Sequence, residues 1–396
     1  MKRAIIASLL ALVTMAGQAQ IKCHIEGELR DTTQGRTVII CPVGTDLRVS
    51  NNYIAAKADG QGRFSCDVET DKMTLYTVFL HEKYKHSEWA YTKFLAENGV
   101  TVKLCFNEGK WKVKSGGPEQ TLKLKMEAEA DLLYGNKMEA ISKQIKDEIM
   151  SRVKELRAQG KNPEEDSVLV RRSDEYYEEI EKLFHACQAW RLEYYAEHPI
   201  QYALYDIADQ MQNCDSRYDE QNQKLMHLYH NVYGNFHPEN PIHGTIRTLE
   251  AAWLLKPGKP YHDFEVRTLE GKKIQASSLY RGKVALFDFW ASWCGPCRQH
   301  SKAMIPVYEK YKDKGFTVVA IARERETKDM ILAAKQDGYP WESLIDIKDE
   351  LNLWQKNGLG LGGGGMFLID RDGTILSTST DAEELEPLIK KALNIE

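Results

Sequence analysis

The chain has 396 residues, a net charge of −5, 42% hydrophobic residues and 28% charged residues. This length predicts two or three domains, and the composition excludes a disordered or integral membrane protein. The acidic balance gives no general basic surface, so nucleic acid is not an expected partner.

The first residues have the pattern of a secretory signal peptide. A cationic start, Met1-Lys2-Arg3, precedes an apolar run from Ala4 to about Ala16, and small or polar residues then lead to Ala19. Because about 20 apolar residues are needed to span a bilayer, this run predicts a cleavable signal over residues 1–19, with an uncleaved anchor as the alternative. No later stretch is apolar enough for stable membrane insertion. We therefore expect a protein of the periplasm or cell envelope, where disulfides persist.

Residues 20–117 are predicted to form a small all-β domain of the sandwich type. Apolar and polar residues alternate over residues 100–106, which is the period of a strand with one buried face. Asn98-Gly99 just before them indicates a tight hairpin. The short runs at residues 37–43 and 75–80 complete the pattern.

Residues 118–256 are predicted to be helical. An apolar stripe at intervals of three and four residues predicts a long helix that ends at Gln159-Gly160. A second helix is predicted from about residue 173 to His198-Pro199, and at least two more fit between residues 200 and 255. Several aromatic residues in this segment indicate packing between helices better than a ligand site. They are Trp190, Tyr194, Tyr195, Tyr202 and Tyr205.

A linker at residues 256–260 precedes a predicted α/β domain over residues 257–396, with helices on both faces of a mixed sheet. The predicted strands are residues 284–291, 316–322, 366–370 and 374–377, and the predicted helices are residues 294–312, 328–336 and 382–393.

The chemistry of this domain is carried by Cys294-Gly295-Pro296-Cys297. No second C-x-x-C pair is present, so a structural zinc site is not expected. The pair falls where a buried strand ends and a helix begins, and unpaired amides there stabilise a thiolate. We expect Cys294 to be the exposed nucleophile, while Cys297, one turn into the helix, is shielded and resolves the mixed disulfide. Gly295 and Pro296 permit the tight approach and pre-set the first turn.

Asp288 is the other candidate catalytic residue. It shares a face of the predicted strand with Val284, Leu286 and Trp290, so it is expected to be buried with a raised pKa. Such a carboxylate accepts the proton of Cys297 when that thiol attacks. The alternative is a carboxylate that only hydrogen-bonds to neighbouring backbone.

The remaining six cysteines are Cys23, Cys41, Cys66, Cys105, Cys187 and Cys214. The first four allow three disulfide pairings, between which the sequence does not choose, and the alternative is that all six are small buried side chains. Cys66 is expected in the core, because it alternates in phase with Phe64 and Val68. Cys105 alternates with the polar residues of its strand, so exposure is expected.

Residues 288–298, with the sequence DFWASWCGPCR, resemble the active-site stretch of thioredoxins. Together with residues 264–271, 279–283 and 367–373, they are similar to the exported TlpA/ResA-like branch, close to the AhpC/TSA superfamily. This resemblance implies a thioredoxin fold for about residues 258–396 and thiol–disulfide exchange, with Cys294 attacking and Cys297 resolving. The upstream β and helical segments resemble, more weakly, those of Bacteroidetes envelope proteins.

The resemblance also implies a substrate groove, formed by Trp293, Gly295, Pro296, Gly364 and Gly365. The family carries a cis-proline where this chain has Gly364, inside the run of glycines 362–365. A non-proline cis bond costs about 2.5–4 kcal/mol, so we expect a trans bond and a mobile loop here.

A glutamate common in this branch is replaced by His300, which would either tune Cys297 or lie at the surface. Peroxidase chemistry is a less expected function, because the P-x-x-x-T-x-x-C pattern of peroxiredoxins would require proline at Phe287 and threonine at Ala291.

These features predict an exported thiol–disulfide oxidoreductase that reduces or isomerises envelope proteins and needs no cofactor. Its expected partners are protein disulfides and an unidentified electron-donor thiol protein. The alternative is a ligand- or partner-binding envelope protein that uses the thioredoxin-like domain as a scaffold or redox sensor.

Overall fold

A computed structural model describes residues 20–30, 36–85, 90–212, 219–360 and 362–395. The predicted signal peptide at residues 1–19 lies outside these ranges. Within them, no helix is both long enough and apolar enough to cross a membrane.

The first described segment is a β domain. Its elements are β1 (Ile21–Leu29), β2 (Thr37–Pro42), β3 (Ile54–Lys57), β4 (Arg63–Thr70), β5 (Thr74–Leu80), α1 (His81–Lys85), β6 (Tyr91–Ala96), β7 (Thr101–Asn107) and β8 (Lys110–Ser115). In the described part of the chain they form two four-stranded sheets, in the orders β4-β1-β7-β8 and β3-β2-β5-β6. Both sheets contribute to one core, in which Val38 and Phe94 of one sheet join Ile25 and Val102 of the other. The predicted sandwich is confirmed.

The hairpin predicted at Asn98-Gly99 is wrong. These residues connect β6, which pairs with β5, to β7, which pairs with β1 and β8 in the other sheet. The backbone amide of Lys22 donates to Asn98 Oδ1, and the Gly99 amide donates to the Lys22 carbonyl. The alternating pattern of β7 correctly showed a buried face, but burial does not determine which strand is the neighbour.

The β-domain cysteines are free thiols, as is Cys187, whereas Cys214 lies outside the described residues. Cys66 is half-buried against the core, as expected. Cys105 was expected to be exposed, and this is wrong, because only 3% of it is accessible. Its strand, β7, lies between β1 and β8, and burial there raises the pKa of the Cys105 thiol.

The helical segment contains α2 (Pro118–Ala130), α3 (Asn136–Ala158), α4 (Ser167–Glu197), α5 (Gln201–Gln212), α6 (Asp219–Leu228) and α7 (Ile242–Trp253). One π-helical turn, Asp131–Gly135, joins α2 to α3, and another, Tyr229–Tyr233, follows α6. Helix α4 begins about six residues before the predicted start. The carboxylate of Asp166 caps it by accepting the backbone N–H of Leu169.

The aromatic residues of this segment pack between helices, as predicted. Tyr195, Tyr202 and Tyr205 are buried in one core, and Trp190 and Tyr194 pack against its edge. The same core includes side chains of the β domain, so the two segments are joined by apolar contact.

The C-terminal domain contains β9 (Glu265–Arg267), β10 (Lys273–Gln275), α8 (Ser277–Tyr280), β11 (Val284–Trp290), α9 (Gly295–Ala303), α10 (Ile305–Tyr311), β12 (Phe316–Glu324), α11 (Thr327–Asp337), β13 (Ser343–Ile347), α12 (Leu353–Lys356), β14 (Gly365–Ile369), β15 (Ile375–Ser377) and α13 (Ala382–Ala392). In the described residues its strands form one sheet in the order β10-β9-β13-β12-β11-β14-β15. The β11–β12 and β12–β13 pairs are parallel and the others antiparallel. Cores lie on both faces, so the predicted α/β domain with a mixed sheet is confirmed.

Two local features of this domain differ from the prediction. The helix predicted over residues 294–312 is divided into α9 and α10 at Met304, because Pro306 in the first turn of α10 has no N–H to continue α9. The predicted linker is bound to the sheet, since the Gly258 amide donates to the Ile375 carbonyl and the Ile375 amide donates to Lys259.

Candidate active site

The cysteine pair lies between the most buried strand of the C-terminal domain and the helix that follows it. Every residue of β11 is buried, and the chain then turns through residues 291–293 to α9. Cys294 is the N-cap of α9, and its sulfur accepts the backbone N–H of Cys297 at 3.3 Å. The two sulfurs form a disulfide, with the Cα atoms 5.3 Å apart. The sulfur of Cys294 therefore lies at the positive end of a helix.

Both cysteines are largely covered in the disulfide form, with exposures of 6% for Cys294 and 9% for Cys297. The predicted contrast between an exposed and a shielded cysteine is therefore absent in this form. Both residues line a groove of about 250 Å³.

The groove contains part of the predicted substrate site. Pro296, Gly364 and Gly365 line it, together with His300 from the next turn of α9. Thr380, which follows β15, also lines it and was not anticipated, because its sequence context has no recognisable motif. Gly295 and Trp293 lie outside the lining of the groove.

Asp288 lies on β11 beneath the cysteines and also lines the groove. It is 1% exposed, and its Oδ2 atom has no hydrogen-bond partner among the described residues. Burial raises the pKa of Asp288 to about 7, and the Ser301 hydroxyl opposes this increase. The Ser301 hydroxyl donates to the carbonyl of Cys297, so Ser301 lies near both the Asp288 carboxyl group and the backbone of Cys297.

Gly364 makes a direct contact with the cysteine pair. Its backbone N–H donates to the sulfur of Cys297 at 3.1 Å. A Cβ atom at this position would lie 1.7 Å from the carbonyl oxygen of Phe289, so no side chain fits without moving the backbone. No cis peptide occurs in the described ranges, which confirms the predicted trans bond.

Trp293 faces the β domain. The guanidinium carbon of Arg48 lies 3.8 Å from the centre of a Trp293 ring. The preceding Ser292 donates its backbone N–H and its hydroxyl to the carboxylate of Glu324 at the end of β12. Neither Arg48 nor Glu324 was identified from the sequence, because both lie far along the chain from the cysteines.

Comparison with known proteins gives consistent matches to the C-terminal domain. The model of the AhpC/TSA family matches residues 257–378. The thiol-disulfide oxidoreductase ResA of Bacillus thuringiensis (strain Al Hakam) is 32% identical over 141 residues, which cover 34% of this chain and 77% of that protein. The thioredoxin-like protein YneN of Bacillus subtilis (strain 168) is 35% identical over 97 residues, covering 24% of this chain and 56% of that protein. A solved thioredoxin domain of a thiol-disulfide oxidoreductase from Bacteroides vulgatus aligns with 35% of this chain and 99% of its own, at 24% identity and a TM-score of 0.33.

Proposed function

This chain belongs to the ResA-like thiol-disulfide oxidoreductases, and from that premise we propose that it is an exported enzyme that reduces or isomerises protein disulfides in the cell envelope. One observation carries the proposal: a disulfide at the N-terminus of α9 lines a groove above a buried carboxylate of raised pKa. Such a site supplies a stabilised thiolate, a second thiol within reach and a proton acceptor.

In the reductive direction, the thiolate of Cys294 attacks one sulfur of a substrate disulfide. A bond forms between Cys294 and that sulfur, and the other substrate sulfur leaves as a thiolate. Cys297 then loses its proton and attacks the sulfur of Cys294, which releases the second substrate sulfur as a thiolate. The substrate gains two electrons, and the enzyme is left in its disulfide form.

Asp288 is proposed as the acceptor of the Cys297 proton. A carboxyl group whose pKa is about 7 is divided between its two protonation states near neutral pH, so it both accepts and returns a proton. The Ser301 hydroxyl, which donates to the backbone carbonyl of Cys297, also lies near this carboxyl group and opposes the increase of its pKa.

Continued reduction requires a thiol protein that returns two electrons to the Cys294–Cys297 disulfide. Isomerisation requires no net electrons, because a second substrate cysteine attacks the mixed disulfide and releases Cys294. The proposed location depends on residues 1–19, whose pattern favours export.

The test uses the full-length protein expressed in cells, with Cys297→Ser to prevent resolution and Cys294→Ser as the matched control. We expect the Cys297→Ser variant to accumulate mixed disulfides with envelope proteins, visible as bands that disappear on reduction, whereas the control forms none. The purified wild type should also accelerate the reduction of insulin by dithiothreitol. Absence of both trapped species and acceleration would contradict the proposal and favour a binding or sensing role.

A further inference from the structure

The β domain places a charged side chain next to the cysteine pair. Arg48 lies in the loop that follows β2, and its guanidinium group covers the ring of Trp293, the residue immediately before Cys294. Its side chain remains 37% exposed. The surface beside the attacking cysteine is therefore built from two regions that are distant in the sequence.

The carboxylate of Asp46 binds the guanidinium group of Arg48. The Nε and Nη2 atoms of Arg48 donate to the two carboxylate oxygens of Asp46, at 2.9 and 2.8 Å. Asp46 is itself buried, and it accepts a further bond of 2.9 Å from Nη1 of Arg323, a residue of β12 that is only 1% exposed. Asp349 binds the other edge of Arg323. Since each group is paired, this buried ion network fixes the loop of the β domain on the C-terminal domain.

The end of β12 connects this network to the active-site turn. Arg323 binds Asp46, Glu324 binds both donors of Ser292, and Arg325 donates to the carbonyl of Leu47. Two residues at the end of β12, Arg323 and Glu324, and Arg325 immediately after it thus hold the loop that carries Arg48 and the turn that carries Trp293. Hydrogen bonds from these three adjacent residues therefore set the position of the loop relative to the turn.

We propose that Arg48 is a positioning residue: it holds Trp293 as part of the surface on which a polypeptide disulfide docks before Cys294 attacks. This inference rests on the proposed function and assigns to the β domain a part in substrate selection. A cation over an indole face restrains the ring, and the paired Asp46 limits the motion of the cation itself. A small disulfide reaches the groove without covering this surface, so the effect should distinguish polypeptide from small substrates.

The experiment compares Arg48→Ala, Arg48→Lys and Arg63→Ala in the full chain. Arg63 is the control, since it is another arginine of the β domain that pairs with an aspartate, Asp59. Reduction of insulin and of bis(2-hydroxyethyl) disulfide is measured for each protein. For Arg48→Ala we expect the ratio of the two kcat/KM values to fall roughly three- to tenfold, mostly through the KM for insulin. Arg48→Lys should recover only part of this loss, because it keeps the charge without the planar fork.

A second readout does not require turnover. Acrylamide quenching of Trp293 fluorescence, obtained as the difference from a Trp293→Phe background, should increase in Arg48→Ala and stay constant in Arg63→Ala, because this neutral quencher responds to exposure of the ring and is not attracted by the charge of Arg48. Unchanged quenching, or an equal loss of activity on both disulfides, would overturn the positioning role. If the wild type reduces neither substrate, the proposed function fails, while the quenching result still decides whether Arg48 positions Trp293.

Discussion

Replacing Asp288 by asparagine should affect stability and catalysis in opposite directions at neutral pH. The pKa of Asp288 is raised from 3.8 to about 7 by burial. Each pKa unit corresponds to about 1.4 kcal/mol, so the buried carboxylate disfavours the folded state by about 4 kcal/mol once it is ionised. An amide in the same position does not ionise and avoids this cost.

The direction in which stability changes with pH follows from the number of protons bound to the folded and to the unfolded protein. Between pH 4 and pH 7 the folded protein keeps the proton of Asp288, whereas the unfolded chain has lost it. The contribution of this group to stability is thus greatest below pH 4, decreases through that window, and is constant above about pH 7. In Asp288→Asn this decrease is absent.

Urea unfolding of the oxidised protein between pH 4 and pH 8 measures the effect. The free energy of unfolding should fall by about 4 kcal/mol more for the wild type than for Asp288→Asn over this range. The unpaired amide costs about 1–3 kcal/mol at every pH, so it cancels in this comparison. Asp313→Asn makes the same chemical change at an exposed position of the same domain and should follow the wild type.

Asp288→Asn should also slow the resolution of the mixed disulfide by Cys297. Without the proton acceptor, attack of Cys297 on a preformed mixed disulfide should slow at least about tenfold near pH 7, as measured by rapid quenching. Parallel pH curves for the wild type and Asp288→Asn would refute a buried, protonated carboxyl group. An unchanged resolution rate would refute its part in proton transfer.

Three further results are expected. Gly364→Ala should lower the free energy of unfolding by about 3 kcal/mol, because the new methyl group meets the Phe289 carbonyl. The control Gly363→Ala should change it by less than about 0.5 kcal/mol, and equal effects of the two variants would contradict the steric argument. Asp46→Ala should lower the free energy of urea unfolding by about 1–3 kcal/mol, since it leaves Nη1 of the buried Arg323 without this partner while Asp349 still pairs the charge, and a negligible cost would contradict the role of the ion network. In the reduced protein, iodoacetamide should label the attacking cysteine within minutes and leave the five described free cysteines unlabelled, as measured by peptide mass spectrometry. The reason is that burial raises the pKa values of these five thiols. Rapid labelling of any of the five would contradict their burial.

Local patterns were sufficient for the elements that surround the cysteines. The apolar run of β11 and the Gly-Pro pair of α9 determine their own conformations through burial and fixed backbone angles, so the strand, the helix and the buried Asp288 follow from a few adjacent residues. The start of α4 is also encoded locally, by Asp166 as an N-cap, but the apolar stripe predicts a start about six residues later.

Contacts between distant segments were not predictable in this way. Nothing near Arg48 indicates that it meets Trp293, and nothing near Asn98-Gly99 indicates which sheet the next strand enters. The short strands β9 and β10 have three residues each, too few for a period to be recognised. Such features depend on how whole sheets pack, which periodicity along one strand does not specify.

The amide of Gly364 affects the electron affinity of the cysteine pair. A backbone N–H directed at the sulfur of Cys297 favours a negative charge on that atom, so it stabilises the reduced pair relative to the disulfide. Proline has no N–H, so a chain with proline at this position lacks the bond. For a two-electron couple, each tenfold preference for the reduced form raises the midpoint potential by about 30 mV. Glycine at this site therefore makes the cysteine pair easier to reduce, so a weaker electron donor suffices, while the reduced pair is a weaker reductant of its substrates than it would be without this bond.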